Sequence, residues 1–250
     1  MSSCGHVDTL VSAPSGPFFG PLAHGFACGA HIPIHSAQPW NALVDPATGA
    51  QETRDSLQES WGITTAGEWR EHVDLLLAGE DMGQDTDLLL RLRRDVIGRA
   101  GRCDLPLWRE AIQQWGQWRG ATPELIKEFT VSAGMIIRYE ARFRADGLLP
   151  PDGIVNSVRG YDFGRAVNMA RWGFGSRFCE YRDAEATVLR AGELVRAHYS
   201  SWADYGGGYA LGRVLRFDNE EYGHTYESVL GPNQMLLTDQ ASPWRHIRFS

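Results

Sequence analysis

The sequence predicts an all-α protein: a single compact multi-helix domain with irregular N-terminal and C-terminal segments. Three observations carry that prediction. Apolar residues recur at three- and four-residue steps in several windows, helix caps and stops flank those windows, and no run alternates apolar and polar with a period of two. The 250 residues fit one large domain, expected over 17–250 behind a flexible tail at 1–16. A chain of this length can bury about 70–75% of its unfolded surface, so it needs no disulfide or metal to hold a core.

The elements follow in order. From Pro17 to Pro46 the chain is rich in Gly, Pro and His, with a short helix around "PLAHGFACGAH". "TTAGEWREHVDLLLAGE" places Thr65 and Glu68 at capping-box spacing, then Trp69, Val73, Leu76 and Leu77 on one face before Gly79. "DTDLLLRLRRDVIGRAG" reads as a helix stopped by Gly98 or Gly101. The clearest helix is "TPELIKEFTVSAGMIIRYEARF", with Thr122 as cap, Pro123 in the first helical position and a stripe through Leu125, Phe129, Ile136 and Phe143. "GLLPPDG" breaks the chain at 147–153. Two helices follow near 158–175 and 183–199, and another starts at Ser201, whose spacing to Asp204 again suggests a capping box. The tail from about 217 reads as irregular, with one short helix.

Composition narrows the function classes. A net charge of −7 argues against a nucleic-acid partner, which needs a concentrated positive face. No run of 18 apolar residues exists to cross a membrane, and the start lacks the features of a secretory signal, so the expected location is cytoplasmic. Of 24 basic residues only Lys127 is a lysine. The arginines are spread along the whole chain, as a codon bias would spread them, so arginine abundance marks no surface by itself. The four cysteines are scattered without a C-x-x-C pair and are expected to be reduced.

One stretch is unusual. On a helix, "YDFGRAVNMARWGFG" (161–175) puts Phe163, Ala166, Val167, Ala170, Gly173 and Phe174 on a core face. The remaining circumference mixes Asp162, Arg165, Asn168 and Arg171 with Met169 and Trp172. A solvated face seldom carries Met and Trp among its charges, so this side is expected to be covered too, and its polar groups then need partners. "WADYGGGYALGR" (202–213) repeats the Asp-to-Arg spacing and places Trp202, Tyr205, Tyr209 and Gly212 on one face. The echo predicts two helices packed together, with glycine where their backbones approach.

These two blocks, together with the closing Ser242-Pro243-Trp244, resemble the bacterial domain-of-unknown-function family 1266. That family shows a W/F-D-x-x-R-x-x-N-x-x-R-W-G block, an S-W-x-x-[FY]-G-x-x-Y-x-x-G-R block and a closing S-P-W. The upstream "QPWNAL" and "ESWGI" are similar to its N-terminal part, extending the resemblance over about 17–250. By this resemblance Asp162, Arg165, Asn168, Arg171, Trp172, Trp202, Tyr205, Tyr209, Gly212, Arg213 and the Ser-Pro-Trp sit at motif positions. Gly207 departs from the family, which often has Arg there. The resemblance implies no activity.

Two readings of the cluster Asp162, Arg165, Asn168, Arg171, Trp172, Trp202, Asp204, Tyr205, Tyr209, Arg213 and Trp244 compete. The favoured one is a buried structural network tying the helices to the Ser-Pro-Trp turn. The other is the site of an enzyme or sensor for a small anionic ligand, a nucleotide or phosphorylated metabolite, with Arg165, Arg171 and Arg213 converging beside Trp172 or Trp202. "YGGGYALG" fails the spacing of a phosphate loop and follows no strand. His24, Cys28, His31 and His35 form the one ligand-like spacing for a metal, interrupted by Pro33, so no metal and no cofactor is expected. No nucleophile elbow, H-E-x-x-H or isolated carboxylate pair marks a catalytic centre. Asp204 reads as a helix capper and Asp162 as a first-turn acid favoured by the helix dipole. The expected role is a non-enzymatic binding, regulatory or accessory protein, of immunity type for example, whose partner is another protein and neither nucleic acid nor membrane.

Overall fold

A computed structural model describes residues 8–44, 48–82 and 84–249. The described residues form helices joined by turns and loops, with no strand among them beyond an isolated bridge between Val11 and Pro39. The helices are α1 (Gly20–Cys28), α2 (His31–His35), α3 (Ala50–Trp61), α4 (Ala66–Ala78), α5 (Gln84–Ala100) and α6 (Leu105–Arg119). Then come α7 (Pro123–Ala145), α8 (Arg159–Gly175), α9 (Tyr181–His198), α10 (Trp202–Phe217), α11 (His224–Thr238) and α12 (Pro243–His246). Among the described residues no helix is long and apolar enough to cross a membrane.

Local chemistry explains the boundaries. Thr65 accepts from Glu68 N while Glu68 reaches back to Thr65 N, completing the capping box. Gly79 ends α4 in the left-handed region at φ +68°, which glycine adopts without a Cβ penalty. Helix α5 runs through Gly98 and stops at Gly101, so of the two stops only the second acts. Ser201 accepts from Asp204 N as expected, but Asp204 turns to Ser200, so only half of that box forms. Helices α3 and α6 form where no helix was expected, and α11 is a third departure. The tail, expected to be irregular with one short helix, forms fifteen helical residues with Pro232 inside. Buried Tyr226, Val229, Asn233 and Leu236 supply the packing that outweighs the proline. The segment expected to be a flexible tail is, from Asp8 on, bonded to the 34–41 stretch: Thr9 N to Ile34 O at 3.0 Å, and Trp40 N to Val11 O at 3.0 Å.

The centre of the molecule is α8. It packs against α1, α4, α9 and α10, and thirteen of its seventeen residues are buried, including Asp162, Arg165, Asn168 and Arg171. Glycines set the close approaches. A Cβ on Gly212 would lie 2.6 Å from Tyr161 Cβ, and one on Gly164 would lie 2.6 Å from Tyr209 Cε2, so α8 and α10 meet as the echo predicted. A second interior anchor was not foreseen. Arg93 and Glu140, each 3% exposed, form a bidentate pair at 2.9 and 2.8 Å that joins α5 to α7, and the Arg93 guanidinium lies 4.7 Å above the Trp108 ring of α6.

Candidate functional site

The motif residues separate into three groups. The first is ionic. Arg165 pairs with Asp162 on its own helix and with Asp81, 2.6 Å away in the turn after α4. Arg216 from α10 also pairs with Asp81, and Met82 N donates to Asp162 at 3.2 Å. Two carboxylates and two guanidiniums thus balance. Burial, and then the nearby charge of Asp81, lift the Asp162 carboxyl above its ordinary range despite Arg165. Burial also works against Asp81, but Arg165 and Arg216 outweigh it and hold that carboxyl below its usual range. For Arg165 burial opposes the charge, yet Tyr161 and the two carboxylates raise its hold on the proton. Its guanidinium also sits 4.2 Å from the centre of the Tyr161 ring. Arg213 lies beyond that ring, donating to Ser228 Oγ at 3.0 and 3.2 Å and to Tyr161 OH at 3.4 Å.

The second group fastens the N-terminal segment. Asn168 Nδ2 donates to Gly29 O and Gly164 O, both at 2.9 Å. Arg171 donates to Trp40 O at 3.2 Å and Pro39 O at 2.8 Å. Arg171 and half-buried Trp172 also line a cavity of about 190 Å³ beside α3, with Glu52 and Ser56. Arg165, Arg171 and Arg213 therefore turn to different partners and do not converge on one cavity.

The third group is aromatic. Trp202 and Trp244 stack at 5.2 Å with 8° between planes. Tyr209 stacks on His31 at 3.8 Å, and Tyr205 donates to Cys28 O and, at 3.3 Å, to Gly160 O. Ser242 caps α12 by accepting from Trp244 N, so the Ser-Pro-Trp turn aims the indole inward, where its N–H donates to Ala27 O at 2.9 Å. Trp202 Nε1 holds Ile247 O at 2.8 Å. This stack thereby fixes the C-terminal stretch as one wall of a cleft of about 420 Å³, with Phe19, Pro21, Ile247 and Phe249 as apolar lining and Arg196, His246 and Arg248 as basic groups. Gly207 faces Leu149, 2.9 Å from where a Cβ would stand, so no Arg fits here without repacking.

The metal-like spacing does not assemble. His24 Nδ1 lies 3.8 Å from Cys28 Sγ, but His24 Nε2 turns to Phe249 O at 3.0 Å, His31 Nε2 to Asn233 at 3.0 Å, and His35 to Asp8 at 3.1 Å. Proline at position 33 and the break between α1 and α2 send the rings apart. Burial, then the charge of Arg196, lowers His24 to about 4, and burial lowers His31 to about 3, so both are neutral at pH 7. Burial pushes the Cys28 thiol well up, which leaves it un-ionised. Cys4 and His6 lie outside the described residues.

Neither the curated proteins nor the solved structures contain a match to this chain. Residues 56–249 match the family described as "Protein of unknown function (DUF1266)". The match takes in "ESWGI", the 161–175 and 202–213 blocks and the Ser-Pro-Trp turn, while "QPWNAL" lies ahead of it. With the match covering well over half of its length, the chain belongs to the DUF1266 family.

Proposed function

We propose that the protein is a non-enzymatic binding protein of regulatory or accessory type whose partner is another protein. The observation that carries this reading is the cleft walled by the C-terminal stretch. Phe19 stands 75% exposed at its edge, Ile247 and Phe249 form apolar lining, and Arg196 and Arg248 supply positive charge in a protein of net charge −7. An exposed aromatic beside an apolar cleft with a basic rim suits a protein segment that carries an apolar anchor and an acidic residue. The internal pairing of the motif residues supports the same reading, because it gives them the work of holding that wall in place.

A pull-down from native lysate of the source cells tests the proposal, comparing the wild-type chain with Phe19→Ser. The expected result is a stoichiometric protein partner retained by the wild type and lost by the variant, with the melting temperature unchanged. Recovery of no such partner, or equal recovery by both, counts against it.

A further inference from the structure

Arg165, Arg171 and Arg213 are each engaged by separate protein partners, but a different set of arginines lines one cleft. On α5, Asp87, Arg91 and Arg94 fall at i, i+4 and i+7 and share one face. The entrance to α8 brings Arg159 to the same place, and the last turn of α9 brings His198. Together they line a cleft of about 390 Å³, within the size range of small-molecule sites. The chain as a whole carries −7, yet this cleft has three arginines against the single carboxylate of Asp87 among its described lining residues. A local excess of positive charge in an acidic protein is a focused field.

The cleft is also prearranged. Asp87 fixes the site from below: its Oδ2 accepts from Arg159 Nε, and its Oδ1 accepts from Ser157 Oγ at 3.3 Å. Arg94 Nη1 donates to Asn156 O. Tyr199, buried in the packing beneath, accepts from Gly160 N at 2.7 Å and donates to Ser157 O at 3.0 Å, which holds the 157–160 backbone in place. Arg159 bonds through Nε, which leaves its terminal nitrogens for a ligand. Arg91 is exposed and forms no ion pair with a described residue. His198 uses Nδ1 on Leu194 O at 2.8 Å, which leaves Nε2 as its outward atom.

We infer that this cleft between α5, the start of α8 and the end of α9 binds a small phosphorylated molecule through its phosphate group. Arginine forks match phosphate oxygens in pairs, and three of them around one cleft meet the charge of a phosphomonoester. The polar side chain of Asn156 suits a hydroxylated body in place of an aromatic base, since no Trp, Tyr or Phe lines the cleft among the described residues. This site is independent of the partner-docking cleft and stands or falls without it.

Isothermal titration and thermal unfolding of the full chain test it, with inorganic phosphate and a hexose 6-phosphate as ligands and the unphosphorylated hexose as control. Both phosphate compounds are expected to bind saturably and raise the melting temperature, and the hexose is not. Arg91→Gln is expected to weaken binding by about tenfold or more, since a charge-assisted contact is lost from an exposed side chain. Arg190→Gln, outside the cleft, leaves affinity unchanged. No saturable binding at millimolar phosphate, or wild-type affinity in an R91Q/R94Q double variant, overturns the inference. Binding confined to long polyanions overturns it as well.

Discussion

Arg165 shows what one side chain does in this molecule. It is 3% exposed, with carboxylates of Asp162 and Asp81 on one side and the Tyr161 ring on the other. Removing it strands the fully buried Asp162 beside Asp81, and breaking a buried pair in this way costs about 3–5 kcal/mol. We expect Arg165→Ala to lower the urea midpoint accordingly while leaving phosphate binding at the α5 cleft intact in whatever fraction stays folded. A variant as stable as the wild type would mean that the quartet contributes little. The same logic separates Arg165 from Arg91: one is locked among partners, and the other faces water without an ion pair to a described residue.

Among the elements, the α8–α10 contact decides the most. Gly212 of α10 lies against Tyr161 of α8, and an alanine there would put a methyl group 2.6 Å from Tyr161 Cβ and 3.1 Å from Val158 O. The helices must then separate or Tyr161 must move, which disturbs its contacts to Arg165 and Arg213. Overpacking of this kind costs about 1–3 kcal/mol. Gly212→Ala is therefore expected to be destabilising although alanine is the better helix former, and Gly98→Ala, with open space around its Cβ, is expected to be neutral or stabilising. Equilibrium denaturation of the two variants checks the opposite signs.

For the whole molecule, burial of His24 and His31 makes stability depend on pH. Both are held neutral when folded, near 4 and 3, chiefly by burial, whereas in the unfolded chain each takes a proton near 6.5. The unfolded state thus binds more protons between these values, so this contribution is fully present above about pH 6.5 and is lost as pH falls. The slope approaches about 1.4 kcal/mol per pH unit for each histidine. Urea unfolding at pH 7 and pH 5 should show the fall, and His31→Gln should make it shallower. An identical slope in that variant would remove His31 from the account.

The sequence by itself determined the helical class, the caps at Thr65, Asp204's partner Ser201 and Thr122, the membership of 161–175 and 202–213 in two helices that touch, and the covered state of the charged side of α8. Each rests on local periodicity or on the rule that polar groups beside Met and Trp need partners, and both are written in neighbouring residues. Only the tertiary structure decided who the partners are. Asp81 lies eighty-odd positions from Arg165, Asn168 reaches Gly29, and Trp244 reaches Ala27 across more than two hundred residues. The tertiary structure alone also extended the short helix of the tail to 224–238 around Pro232, paired Arg93 with Glu140, and gathered Arg91, Arg94 and Arg159 into an open cleft. The physical reason is that a side chain's type fixes what it needs, while the packing of distant helices fixes whether a protein group meets that need or leaves it facing a cleft.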